Sequence, residues 1–286
     1  MHKLTKSVII RNMNTVPKSE LHAERVKASD LANYLLSHGI AATTTGEIAD
    51  LLKISVNQVP QRMQALKRKG AIVAPAKGLW IPVPPEYMTW GAPPAIDMID
   101  SLMKHLSLDY YIGWLSAAAY HGASHHAPQV FQVAVSRSMR NRVIGRSDFR
   151  FFHRSNIAKI RTASIESRNG KVSLSSRETT LLDITSNISI AGGLDNVANL
   201  VIELCGVKKP SIPLIVELSQ YYPTAALKRL GWLMENFTEI EDVYLLRNEV
   251  FSREVATSVL DPQSGRSGVL DLGWSLILNK VVDPDV

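Results

Sequence analysis

The chain is predicted to be an α+β protein, an N-terminal winged helix-turn-helix followed by a larger mixed α/β domain. Three observations carry that prediction. A capping box, Thr44-x-x-Glu47, opens a short apolar helix, a second apolar stripe follows after a short turn, and a hairpin pattern with a cationic tip comes next. Beyond a proline-rich stretch, strand-like and helix-like segments then alternate.

Ala28, Leu31, Ala32, Leu35 and Leu36 trace the first helix, with Ser29 as N-cap and Gly39 as stop. In the second, hydroxyl and carboxylate of the capping box each satisfy an orphan backbone N–H, and Ile48, Ala49 and Leu52 supply the helical period. Lys53-Ile54-Ser55 has the length of a helix-turn-helix turn. Val56, Val59, Met63 and Leu66 then share one face, directed inward. Proline cannot donate an interior helical hydrogen bond, so an N-cap at Asn57, which puts Pro60 in the first turn, is favoured over one at Ser55. Gly70 suits the stop. Ala71 to Ala74 and Leu79 to Pro82 flank the tip Pro75-Ala76-Lys77-Gly78, a two-stranded wing.

The outward face of the third helix carries Asn57, Gln58, Gln61, Arg62 and Arg68, amides and guanidinium groups of the kind that read base edges in a major groove. Lys77 is placed to lie against phosphate. A merely solvated face, or a winged helix used for protein contact, would use the same residue types. Charge favours the polyanion: residues 1–90 hold 12 Lys/Arg against 6 Asp/Glu, whereas residues 91–286 hold 20 of each. Displacing counterions from phosphate gives such a module sequence-independent affinity for double-stranded DNA.

The expected organisation is a basic arm over 1–26, the winged helix over 27–83, a Pro-rich linker without regular structure over 84–94, and a second domain over 95–286. In that domain 96–105 and 113–121 read as helices, 131–135, 149–152 and 171–174 as strands, and 176–183 and 194–236 as helical again. Within it, residues 137–177 contain 11 Lys/Arg against 2 Asp/Glu. Arg137, Arg140, Arg142, Arg146, Arg150, Arg154 and Arg161 are thereby a candidate second basic surface for phosphate, unless they are solvated or paired internally with the acidic remainder.

Catalytic and metal chemistry find little support. His121, His125 and His126 have no acidic or cysteine ligand beside them, and adjacent histidines point apart on either kind of element. Glu178 and Asp183 lack a converging spacing, and Arg177 with Glu178 reads better as an anchor for its helix. Gly192-Gly193 lacks the Lys-Ser/Thr of a phosphate loop and reads as a turn. Cys205, the single cysteine, sits among Val201, Ile202, Leu204 and Val207 as a core thiol, which excludes an internal disulfide and argues for a reducing compartment. No signal peptide and no apolar run of membrane length are present, so a cytoplasmic protein without cofactor or membrane partner is expected.

With its winged helix, the string Tyr111-Ile112-Gly113-Trp114-Leu115-Ser116-Ala117-Ala118-Ala119-Tyr120-His121-Gly122, and the string Val172 to Asp183, the chain resembles the AbiEi-type antitoxins of bacterial type IV toxin–antitoxin systems. The resemblance spans most of the chain. It implies a repressor that binds inverted repeats in its own operon promoter, and a C-terminal antitoxin domain that neutralises a nucleotidyltransferase-like toxin, directly or indirectly. It implies no catalysis, and it carries DNA reading to Asn57, Gln58, Gln61, Arg62 and the wing's Lys77. Two alternatives stand beside it: a winged-helix regulator sensing a small ligand, for which a deep apolar pocket would speak, and a nucleic-acid-processing enzyme, for which carboxylates clustered on the arginine-rich face would speak.

Overall fold

A computed structural model describes residues 26–123, 130–253 and 256–284. The expected arm, apart from Val26, lies outside the described residues, as do His125 and His126. The chain divides into two compact units, Met1–Pro82 and Val83–Val286.

In the first unit α1 (Leu31–Ser37), β1 (Thr43–Thr44), α2 (Thr45–Leu52), α3 (Val59–Arg68), β2 (Ile72–Ala76) and β3 (Leu79–Pro82) follow in order, with the strands arranged β1-β3-β2. The capping box forms as its spacing requires. The Thr44 hydroxyl accepts from the Glu47 N–H at 3.3 Å, and Glu47 Oε2 accepts from the Thr44 N–H at 2.8 Å. Leu31, Leu35, Ile48, Leu52, Val59, Met63, Leu66 and Trp80 close one core, and the Trp80 indole donates to Thr45 Oγ1 at 2.9 Å.

Helix starts depart from expectation by a residue or two. Asp30, not Ser29, occupies the N-cap of α1; the Ser29 hydroxyl instead donates to the Asp30 carboxylate at 3.2 Å. A 3₁₀ turn over Val56–Gln58 precedes α3, so the N-cap position is Gln58 rather than Asn57, with Pro60 still in the first turn. The tighter turn gives local donors partners that a helix begun at Asn57 would not: the Gln58 N–H reaches Ser55 O at 3.0 Å, and the Ser55 N–H reaches Gln58 Oε1 at 3.2 Å. Val56 falls outside the helical period and is 53% exposed, not inward. In the wing Ala76 pairs with Leu79, so the tip is the pair Lys77-Gly78, with Gly78 at φ +83, while Pro75 belongs to β2 beside a bulge on an edge strand.

The second unit begins with the proline-rich stretch. Prolines preset φ for a first helical turn, and Pro85–Trp90 winds into a 3₁₀ helix closed by Gly91 at φ +75, which corrects the expectation of no regular structure. Next come α4 (Ala95–Leu106), β4 (Tyr110–Ile112), α5 (Trp114–Tyr120), β5 (Val130–Val135), β6 (Arg142–Ile144), β7 (Ser147–His153), β8 (Thr162–Ser167) and β9 (Gly170–Ser175). They build a six-stranded mixed sheet, β6-β7-β5-β4-β9-β8. Strand alternation splits its side chains between two layers. Tyr111 and Ala134 face a large core with α6 (Arg177–Ser186), α7 (Leu194–Val207), α8 (Ile212–Ser219), α9 (Thr224–Phe237) and α10 (Val243–Ser252). On the other face α4 packs against β9, and Tyr110 donates to Asp100 at 3.1 Å.

A last small sheet, β10 (Ser258–Val259), β11 (Val269–Asp271) and β12 (Leu276–Leu278), is clamped to α9. Trp274, fully buried, occupies the space over Gly231, where an added Cβ would lie 2.0 Å from the indole. Its Nε1 donates to Glu235 at 2.6 Å, and buried Lys228 donates to Ala256 O at 2.6 Å.

Candidate functional site

The outward face of α3 is built by elimination. Val59, Met63 and Leu66 are buried, so positions about half a turn away are presented to solvent. Asn57, Gln61 and Arg68 lie there and are exposed; Gln64, which the sequence reading passed over, shares their face. Its signal was available, because Gln64 follows Asn57 by seven residues and Gln61 by three. Gln58 is exposed, but its carbonyl oxygen is engaged by the Ser55 N–H. Arg62, about 100° round from Gln61, borders a shallow hollow of about 410 Å³ with Lys27, Leu52 and Ile54. The structure therefore brings Asn57, Gln61, Gln64 and Arg68 together and sets Arg62 to the flank.

Lys67, Arg68 and Lys69 are exposed at the C-terminal end of α3, where cations also suit the helix dipole. Lys77 is exposed at the wing tip. That tip is short and braced, since the Thr45 N–H donates to Gly78 O at 3.0 Å and ties it to the start of α2.

The arginine-rich segment is not one surface. Arg137, Arg140 and Arg161 are exposed. Arg142 lies over the Phe151 ring at 5.8 Å, Arg146 over Trp90 at 5.8 Å, and Arg150 pairs with Asp148 at 2.7 Å. Arg154 departs altogether. Its side chain is 14% exposed, and its Nη1 donates to Asp183 Oδ1 at 2.7 Å. The second basic surface thus loses Arg154 to the core.

Asp183 is the functional-looking residue that spacing missed. It is wholly buried on α6 and accepts from Tyr222 at 2.7 Å, from Tyr111 at 3.1 Å and from Arg154. Burial pushes its carboxyl upward, and Arg154 and the two phenols pull against that. Burial would lower the Arg154 guanidinium, but Asp183 beside it holds it above its usual value, so the cation is secure. Both phenols are raised well above their ordinary value, first by burial and then by Asp183, so they remain donors. The Arg154 plane also lies 4.3 Å from the Tyr222 ring centre. The partners come from β4, the end of β7, α6 and the loop after α8, separated by 29 to 72 residues, so no local window could show them. Every carboxylate oxygen is engaged, which makes this a structural knot.

Arg177 donates to Leu204 O at 2.7 Å, and Glu178 accepts from the Ser211 N–H at 3.1 Å, the anchoring their positions implied. The His121 imidazole is 2.8 Å from Ser175 O, and burial lowers its pKa. The Cys205 thiol is buried and pushed up to about 12 by that burial. Among the described residues no group of three or more His, Cys, Asp or Glu side chains could hold a metal ion, and no helix is long and apolar enough to cross a membrane. Beside Arg154 runs a cleft of about 550 Å³ bordered by Trp114, Phe152, Asn187 and Tyr221, broad and mostly polar rather than deep and apolar.

Residues 111–236 match the family model of the AbiEi antitoxin C-terminal domain. The match opens on Tyr111 and takes in Arg154, Asp183 and Tyr222. In fold, the chain is similar to the RV2827C protein from Mycobacterium tuberculosis, with a TM-score of 0.65 at 15% identity over 90% of this chain and 93% of that one. At that identity the likeness is one of fold. A nucleotidyltransferase-like protein from Paracoccidioides brasiliensis aligns over 51% of this chain and 93% of its own at 11% identity, but its TM-score of 0.29 carries no argument. No curated protein matches the chain in sequence.

Proposed function

We propose that this chain, whose residues 111–236 match the AbiEi antitoxin C-terminal domain, is the antitoxin and autorepressor of a type IV toxin–antitoxin pair. The carrying observation is that pairing of an antitoxin-family domain with a winged helix whose α3 turns Asn57, Gln61, Gln64 and Arg68 to solvent. On this reading the winged helix binds inverted repeats in the operon's promoter, with α3 in the major groove and Lys77 against phosphate. The second unit neutralises a nucleotidyltransferase-like toxin. The chain has no reaction of its own, and the Arg154–Asp183 pair, its most deeply buried ion pair among the described residues, is spent on packing.

The broad, polar cleft speaks less for an apolar effector pocket. The decisive experiment is co-expression with the gene beside this one. Growth rescued by the full chain, together with retardation of the promoter fragment by the purified protein, is the expected result. Absence of rescue overturns the antitoxin half, and absence of promoter binding at low salt overturns the repressor half.

A further inference from the structure

Between α8 and α10 the second unit carries an open, mostly apolar groove of about 510 Å³. Pro213 and Val216 line it from α8, and Leu245, Asn248, Glu249 and Ser252 from α10, at the three- and four-residue spacings that put side chains on one helical face. The two helices are tied together beneath it. Arg253 donates to Ser219 O at 3.3 Å and to Ser219 Oγ at 2.6 Å, and pairs with Glu249 at 2.7 Å, which joins the C-terminal ends of α8 and α10.

Tyr244 and Phe251 each precede a groove residue of α10 and lie about 100° further round that helix. They are 53% and 49% exposed. Exposed apolar residues scattered singly are ordinary, but two aromatics seven positions apart on one helix, beside an apolar groove, extend it into a patch of the kind that marks a binding surface. Aromatic anchors also carry much of the energy at such surfaces. The family likeness does not account for the patch, because α10 lies beyond residues 111–236.

Charge identifies the occupant. Glu217 shares the exposed face of α8 with Pro213, and Glu241 and Asp242 stand immediately ahead of α10; all three are exposed and pair with no cation among the described residues. The cations of the two helices are already engaged, Arg253 by Glu249 and Arg247 by Glu235. Lys208 and Lys209 precede α8 rather than lying on it. An apolar trough with a negative rim complements a helix that has an apolar stripe flanked by Lys or Arg.

We propose that the α8–α10 groove docks a basic amphipathic helix of a partner protein. Its apolar stripe lies against Pro213, Val216 and Leu245 and over the Tyr244–Phe251 flank, and its cations face Glu217, Glu241 and Asp242. The surface belongs to the second unit alone, and the inference does not depend on operator binding.

The test uses the full chain and a synthetic peptide about 18 residues long, with leucine at i, i+3, i+4 and i+7 and lysine on the other face, read by calorimetry. One control peptide has the same composition with the stripe broken, and the other has glutamate in place of lysine. The basic amphipathic peptide is expected to bind, and both controls to bind at least about ten-fold more weakly. Phe251→Ser and Glu217→Lys, both at exposed positions, are expected to weaken binding about ten-fold and several-fold, with melting temperature and promoter retardation unchanged. No binding of the basic amphipathic peptide, equal binding of either control, or binding that both variants retain in full overturns the proposal. Light scattering of the chain alone tests the other occupant: a self-association that Phe251→Ser abolishes assigns the groove to a second copy and overturns the proposal as well.

Discussion

Replacing Asp183 by Ala should be among the most damaging single changes in the second unit. The carboxylate is fully buried and accepts from Arg154, Tyr222 and Tyr111 at 2.7, 2.7 and 3.1 Å. Its removal leaves a guanidinium that is 14% exposed without its counter-charge and two buried phenols without an acceptor. Breaking a buried pair from one side costs about 3–5 kcal/mol, and the orphaned phenols contribute to that figure rather than adding to it, because the effects share one network. In a domain of this size that corresponds to a fall in Tm of roughly 10 °C. The exposed pair Arg150–Asp148, at 46% and 28% exposure, is the internal control, and Asp148→Ala should cost at most about 1 kcal/mol. The double variant Arg154→Met with Asp183→Leu should recover a large part of the loss, since apolar residues of similar volume commonly replace a buried pair at little cost. Calorimetry and urea titration of the full chain measure all four proteins. If Asp183→Ala costs under about 1 kcal/mol, or the double variant is no better than the single, the centre is not the coupled knot its distances describe.

On the proposed DNA-binding reading of the α3 face, Gln61→Ala or Gln64→Ala should cost about 1–3 kcal/mol on the operator and relax base preference, whereas Arg62→Ala on the flank should weaken binding to all sequences alike; titrations against operator variants distinguish the two, and lost base preference in the Arg62 variant would reverse the helix orientation. Gly231→Ala drives a Cβ to 2.0 Å from Trp274, an overpacking expected to cost about 1–3 kcal/mol and to expose the 256–284 segment to limited proteolysis; an unchanged digestion pattern would show that α9 and Trp274 yield without loss. For His121, whose folded pKa is depressed by burial, the unfolded chain binds the proton more readily. Stability is then complete above about pH 6.5 and declines as pH falls through the folded value, and His121→Gln should remove that part of the slope in pH-dependent denaturation.

What the sequence determined by itself was local. The Thr44–Glu47 capping box, the α3 core stripe of Val59, Met63 and Leu66, the strands around Phe131, Phe149 and Val172, and the burial of Cys205 all follow from interactions reaching a few residues along the chain. The AbiEi-type resemblance rested on the winged helix and on two such strings, and the family match spans both strings but not the winged helix. Where local rules competed, the sequence was less reliable. The start of α3 moved because a 3₁₀ turn ahead of Pro60 satisfied donors that a simple N-cap would have left, and the prolines of 84–94 preset a 3₁₀ helix that read as a break. Only the tertiary structure decided which arginine of the 137–161 series was a surface charge and which a core cation. Arg154 looks like its neighbours in sequence; β7 ends it beside an aspartate 29 residues away and two tyrosines from other elements. The cost of leaving any of these groups unpaired in a dry interior is what holds them together, and that cost depends on burial, a property of the folded chain that no spacing along it records.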